Sequence, residues 1–489
     1  MVAEHTTSMD SVDVEKNMAN VDSSTTTSSI AASVVDIKTF GSDETAFALP
    51  PKNGHSSVTR WLNHIFFSYY RKTFSLIFFA NLATFIVLVA RYHGTPDATD
   101  VGSAASANLM VTLLFRQENF VNLLYEVACA CPHNAPLWFR RRLAKVFHYG
   151  GAHSGAGVAA VVWFMLYTAI ITKDYIAHPT RSFLPNLITA YILVAMFILI
   201  LAGAYPRFRV LYHDYFEAMH RYAGWIALGT FWTHTVFAAE AYRTIRTPVL
   251  PLGEYLIKTP NFWMFCISTS CSILSWSRLR RHDVFPEVLS DHAIRLHFKY
   301  KQIKPFYGVK VSTKPALEWH AFATIPHQED EGKGFSIIVS SAGDWTRETI
   351  RNPPQKLWVR GAPLHGLLYT SRLFERIVVV ATGSGIGPTL SLFHANVTPR
   401  RIFWSASSPE TTYGAKIVKA VKAADEEGRA RIWDTRKEGR PDMVLETWKL
   451  VKESDAEAVF IISNMKLTRK VVFGMESRGV PAYGAIFDS

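Results

Sequence analysis

Apolar residues are unevenly distributed along this chain. Between 74 and 277 they gather into runs of helical length, and about 20 such residues span the hydrocarbon core of a bilayer. The runs cover 74–90, 146–171, 184–204, 216–241 and 261–276. A sixth, 104–128, carries Arg116, Gln117, Glu118 and Asn119 near its middle. Polar groups at that depth are costly and are expected to face the bundle interior. After Arg281 the pattern changes to short β-rich runs at 293–300, 307–312, 318–325, 335–340 and 356–360. Strands of that length between turn residues predict a small antiparallel barrel. From Arg376 strands alternate with helices, at 376–381, 401–405, 430–433 and 458–463, which is the doubly wound nucleotide-binding pattern. Residues 1–57, with SSTTTSS at 23–29, show no sustained period and read as a disordered tail.

Charge orients the helices. With six spans and a cytoplasmic tail, the inner flanks hold twelve Lys and Arg, among them Arg140, Arg141 and Arg142, against six on the outer loops. That agrees with the positive-inside rule and puts both termini in the cytoplasm. Omitting the sixth span would export the triple arginine, so six are expected. The net charge of +12 then needs no nucleic acid, because anionic inner-leaflet lipid satisfies it. Hydrophobic residues at 49% and charged residues at 19% exclude a disordered or nucleic-acid-coating chain. The four cysteines, Cys129, Cys131, Cys266 and Cys271, have no zinc-site spacing and are too few for a disulfide scaffold. No charged-then-apolar leader opens the chain, so cleavage and secretion are not expected.

Two histidines on the fifth run, His220 and His234, lie 14 positions apart. That is about 21 Å along a helix and close to four turns, so both rings share a face. Such spacing suits two haems stacked across a bilayer with axial His ligands. On the third run, His153 and Gly157 align with His220 and Gly224 as H-x-x-x-G. Fourteen positions beyond His153 stands Tyr167, and beyond His148 stands Val162. One inner pair is therefore available, from His153 or His148 with His220, while an outer pair built on His234 lacks a ligand. Intramembrane His also hydrogen-bonds across helices, with Gly allowing close approach. The sequence leaves both readings open.

Downstream, Gly383-Ser384-Gly385-Ile386-Gly387-Pro388 follows the strand VVVAT and precedes TLSLF. Glycines let the backbone approach a pyrophosphate, and the helix start beyond supplies partial positive charge. In strand–loop–helix context the segment predicts a dinucleotide site. Two further segments, Glu318-Trp319-His320-Ala321-Phe322-Ala323-Thr324 and Ser341-Ala342-Gly343-Asp344-Trp345-Thr346, occupy the barrel.

With these motifs in this order, residues of about 70–489 resemble the ferric reductase and NADPH oxidase superfamily. The resemblance implies a multidomain membrane protein: a tail at 1–60, a six-helix transmembrane bundle at 61–283, an antiparallel β-barrel FAD domain at 284–365 and an α/β doubly wound NAD(P)-binding domain at 366–489. It implies that His320, Phe322 and Thr324 contact the flavin, and that Gly343 and Thr346 meet the FAD diphosphate. Gly383, Gly385, Gly387 and Pro388 would hold NAD(P)H, with Gly361 and Gly366 lining the cleft. Phe487 resembles the terminal aromatic that covers the flavin. Bland alternatives stand beside these, His320 as a satisfied barrel histidine and Trp345 as core packing.

Departures sharpen the resemblance. Ala321 replaces the family's Pro, and Ser405-Ala406-Ser407-Ser408 lacks the Arg that grips a 2′-phosphate. Ile462-Ser463-Asn464-Met465 replaces a Cys-Gly-Pro near the nicotinamide. Together they resemble a fungal branch, the TmpA-like integral membrane flavoproteins, whose reductase module recurs at the end of some adenylate-forming reductases. The function implied is a membrane-bound oxidoreductase passing electrons from NAD(P)H through FAD to a small-molecule acceptor on the cytosolic side, or to one inner haem. The alternatives are a transmembrane ferric reductase, a slow signalling or scaffold flavoprotein, and a tailoring reductase of a biosynthetic pathway.

Overall fold

The computed structural model describes residues 48–489 except 54–55, 63–66, 178, 180–182, 329–330 and 486–489. Most of the expected tail lies outside the described residues, as does Phe487. The end of that tail is ordered, contrary to expectation. Leu49 packs into a hydrophobic core of the C-terminal domain, the Asn53 amide donates to the Ser477 carbonyl, and Arg478 donates to the Pro50 carbonyl.

The helices of the N-terminal half include α1 (Tyr69–Arg91), α2 (Ala98–Leu114), α3 (Glu118–Cys129), α4 (Leu137–Leu143), α5 (Gly150–Ala177), α6 (Phe183–Gly203), α7 (His213–Arg243) and α8 (Pro260–Ser277). Three of them, α1, α5 and α6, are long and apolar enough to cross a membrane. No residue of α1 is buried, and Leu76, Phe79, Ile86 and Val87 are exposed. Polar side chains instead turn toward neighbouring helices. Asn81 accepts from both Asn108 (2.7 Å) and Trp163 (3.0 Å), and Ser103 donates to Asn261 (2.6 Å). Gly151 and Gly155 of α5 let α1 approach, since a Cβ on either would run into the backbone of Tyr70 or Phe74. Close packing through small residues is how helices associate in an apolar solvent.

The run at 104–128 is corrected. It is not one span but two helices, broken at Phe115–Gln117. Asp97 caps the start of α2, and Gln117 caps α3 by accepting the Phe120 amide at 2.8 Å. A side-chain cap offers the backbone a stop where Arg116 and Glu118 would otherwise be dragged into the apolar stretch. α3 then packs against the soluble module. Arg140 is likewise not a lipid-facing charge: it is buried in a bidentate pair with Glu457 (2.7 and 2.8 Å). Lys145 pairs with Glu476 at 2.6 Å.

The C-terminal half holds thirteen strands among the described residues. β1 (Arg280–Asp283), β8 (Lys356–His365), β4 (Tyr307–Ser312) and β5 (His320–Ala323) form one antiparallel sheet in that order. β2 (Phe285–Ser290), β3 (Ala293–Phe298), β7 (Phe335–Ser340) and β6 (Ile325–Pro326) form the second. Val284, Leu296, Phe298, Val311, Phe335 and Ile337 are packed in the core between them. Because β1 pairs with β8, this domain starts at 280, a few residues before the expected boundary. The third sheet is parallel, ordered β11 (Arg431–Asp434), β10 (Arg400–Ala406), β9 (Ile377–Thr382), β12 (Ala458–Ile462) and β13 (Ala482–Gly484). β9 reads IVVVAT without alternation because helices cover both faces.

Candidate functional site

The glycine loop sits at the carboxyl edge of the parallel sheet, between β9 and α10 (Ile386–Ala395), where open α/β sheets bind ligands. Gly383 has φ +50, a left-handed conformation that favours glycine, and its carbonyl accepts from the Trp404 indole at 3.0 Å. Gly385 is fixed by a close approach, because a Cβ there would enter the Ile462 carbonyl oxygen at the end of β12. Gly387 lies over Ile338 of β7, so the loop touches the antiparallel sheets. Pro388 sits in the first turn of α10, where a missing N–H costs nothing. Thr382 and Ser463 hydrogen-bond across the strand ends, filling the place expected of the family's Cys.

The barrel motifs meet at Trp345. Its ring stacks on His320 (centroids 4.2 Å, 22°) and tilts against Phe322 at 5.8 Å. His320 Nε2 is buried without a hydrogen-bond partner, with the Glu318 carboxylate 3.6 Å away. Trp345 thus carries more than core packing, a role that only its neighbours across the sheet reveal. It opens α9 (Asp344–Arg351), capped at Gly343. A Cβ on Gly343 would meet nothing within 4 Å, leaving open space over the first turn.

Three of the expected contact residues are already engaged within the protein. Thr324 is fully buried and donates its hydroxyl to the Tyr307 carbonyl (2.8 Å). Thr346 is committed to its own turn, accepting from the Ala342 and Gly343 amides at 2.9 and 2.8 Å. Gly361 does not line an open cleft: at φ +74 it makes room for the Glu118 carboxylate of α3. Gly366 stays at the mouth of the linker, its amide on the Phe306 carbonyl at 2.8 Å.

Around Gly361 the bundle locks onto the barrel. The Arg360 guanidinium lies 4.6 Å from both the Trp276 and Trp319 rings, while Glu118 takes Ser275 and stands 3.6 Å from Lys310. Desolvation lowers the pKa of Lys310 and of Arg360, with Glu118 opposing the shift in each. Asn122 bridges to the Pro363 carbonyl and the His365 amide, both at 2.8 Å. All four cysteines are free thiols, and burial pushes Cys129 up to about 12, which leaves it inert. A basic group that sequence reading missed stands beside the end of β10. Arg436, reached through the turn after β11, donates to Ser407 at 2.9 Å.

In the bundle, His153 faces His220 with ring centroids 6.3 Å apart and planes at 54°. His153 Nδ1–H donates to the Thr112 carbonyl at 2.9 Å, turning Nε2 away from its own backbone. His148 instead packs on Phe147 at 4.3 Å. The outer pair brings His234 edge-on to Tyr167 at 5.5 Å.

Comparison with known sequences adds a direction. Residues 367–489 match the family model described as the C-terminal domain of adenylate-forming reductase 03009. Adenylate-forming reductase 03009 of Coprinopsis cinerea is 44% identical over 443 residues, 90% of this chain but 42% of that protein. Adenylate-forming reductase 06235 of the same fungus is 43% identical over 447 residues, with the same coverage. The chain therefore spans about two-fifths of the curated relatives it matches. Among solved structures, a Neisseria gonorrhoeae ferredoxin NADP+ reductase with bound FAD and NADP aligns at TM-score 0.35 and 13% identity, over 42% of this chain and 98% of its own. A Malassezia yamatoensis flavohemoglobin with FAD and heme aligns at 0.37 and 12%, over 79% and 98%.

Proposed function

We propose that the chain is a membrane-bound flavoprotein reductase, oxidising NAD(P)H and delivering electrons to a small acceptor on the side of its soluble domains. The observation that carries this is the glycine loop held against β12 and β7 together. Gly383 and Gly385 bring bare backbone to the sheet edge, and Gly387 on Ile338 joins that edge to the strand leading into α9. A dinucleotide at the loop and a flavin beside Trp345 would then share one seam.

The residues present fit FAD. The partnerless His320 Nε2, the Trp345 face and the open first turn above Gly343 offer a polar atom, a stacking surface and a helix start for a diphosphate. FAD held there would supply two-electron acceptance from a nicotinamide and one-electron release. The chain's own part is to hold both rings at the seam and exclude water, and no acid–base pair is required.

The inner histidines fit a haem. His153 and His220 would hold it: their rings face each other with centroids 6.3 Å apart, and the Thr112 carbonyl fixes Nδ1–H of His153, which leaves Nε2 to bind iron. Gly224 leaves open space one turn along from His220. A haem there would supply a one-electron relay in the cytosolic half of the bundle. The features shared with ferric-reductase and TmpA-like proteins support this reading, and the adenylate-forming reductase relatives agree with a reductase module.

The test is an absorbance spectrum of the detergent-purified chain, before and after NAD(P)H. Flavin bands that bleach are expected, with a Soret band lost in His153→Ala and His220→Ala. A chain without flavin that oxidises no NAD(P)H with an artificial acceptor overturns the proposal.

A further inference from the structure

We propose that the outer half of the helix bundle binds a neutral, one-ring aromatic alcohol of the phenol class, at the place where a second haem would otherwise sit. This goes beyond the flavin reading and does not depend on it. A partly open cleft of about 70 Å³ lies among α2, α5, α7 and α8, walled by Phe164, Phe231 and Tyr255. A second haem does not fit. Pockets for ligands of even drug size run to about 300–1,000 Å³, and the ring opposite His234 is Tyr167, edge-on at 88°.

The polar groups in the cleft define the occupant. Thr189 lies 2.8 Å from the Pro185 carbonyl and 3.0 Å from that of Asn186, and its single hydroxyl proton goes to one of them. Its oxygen is left to accept from His234 Nδ1 at 3.0 Å. This pattern assigns the hydrogen to Nδ1 and leaves Nε2 a bare acceptor. His234 is 95% buried, bonds Thr189 through Nδ1, and lines the cleft with the rest of its ring. Tyr242, also lining the cleft, has a buried hydroxyl without a partner. One bare acceptor in an aromatic-walled cleft matches a hydroxyl that gives its proton to His234. An engineered cavity of about 150 Å³ takes a whole benzene ring. At 70 Å³ the hydroxyl end enters, and the far edge of the ring lies in the open mouth. A charged ligand would find no counter-ion among the lining residues.

The experiment uses the full chain in detergent with 4-fluorophenol as the probe, read by fluorine NMR. Saturable broadening displaced by p-cresol is expected, with at least tenfold weaker binding of 4-fluoroanisole, which lacks the hydroxyl. His234→Phe removes the acceptor, and Ala238→Leu fills the cleft while sparing His234. Each is expected to weaken the probe at least tenfold. Broadening that does not saturate, equal binding of the anisole, or an unchanged response in Ala238→Leu would each overturn the proposal. Two haems per chain by pyridine haemochrome assay would do so as well. Should His234→Phe not fold, Ala238→Leu decides the question.

Discussion

The glycine loop after β9 and the His320–Thr324 segment were expected to do the same kind of work, yet they behave differently in the fold. In the loop, Gly383 and Gly385 are used through what they lack. Gly383 takes a conformation closed to side chains, and Gly385 accepts a carbonyl where a Cβ would be. A missing atom has no rotamer, so sequence context alone could fix its use. In the barrel segment the work falls to groups that choose partners. Thr324 chose the Tyr307 carbonyl, and His320 chose the face of Trp345 from another element. Motifs built on absence are legible locally, whereas motifs built on donors depend on what folds against them.

The largest test of that contrast is Gly385→Val. With Ile462 backbone in the way, it should abolish NAD(P)H oxidation and lower the melting temperature together, as read by activity and thermal shift. Gly343→Ala is the matched control: with nothing within 4 Å it should fold normally, and a fall in bound FAD alone would place the diphosphate over that turn. Next comes the junction with the bundle. Arg140→Ala takes the bidentate partner from the half-buried Glu457 carboxylate and should cost about 1–3 kcal/mol by denaturant unfolding. Burial pushes Glu457 up, but its bonds with Arg140 and the Glu375 amide bring it below the ordinary glutamate value. Stability from that depressed pKa is full above the unfolded value and is lost as pH falls through the folded one. Hydrogen exchange around Leu137–Leu143 should therefore quicken only in acid, and the Glu457→Gln variant should not show the step.

Within the barrel, Trp345→Ala should lower flavin content about tenfold, while Thr324→Val should leave it unchanged and cost about 1 kcal/mol for one lost hydrogen bond. Flavin loss in Thr324→Val without unfolding would restore the direct contact. The most selective effect is expected at Arg436→Ala, which should raise KM for NADPH about tenfold and leave NADH unaffected if Arg436 beside Ser407 stands in for the missing arginine. That fold-change is about 1.4 kcal/mol.

The same distinction explains what the sequence made legible. Strands β3, β4, β7 and β9 and five of the six apolar runs lie where their periods put them, because burial on one face or both writes itself into the residues. The run at 104–128 was misjudged because Gln117 and Asp97 act as caps, a signal smaller than the apolar background around them. Gly361 and Arg140 were read as cleft and lipid groups because their partners, Glu118 and Glu457, lie 243 and 317 positions away. The nearness of His153 to His220 followed from a shared H-x-x-x-G pattern that left His148 as an alternative, while the bond that orients His153 was not legible.

α3 and α4 act together as a splint. α3 is fastened to the antiparallel sheets through Asn122 and Glu118, and α4 to the parallel sheet through Arg140, with the Tyr483 hydroxyl on the Arg141 carbonyl. Both lobes of the soluble half are thus tied to one short stretch of chain between two bundle helices. The lobes cannot swing apart as a clamshell without tearing one of those fastenings. Cofactor exchange is left to the loop edges, and cutting the chain between 129 and 137 would be expected to loosen the reductase more than the bundle.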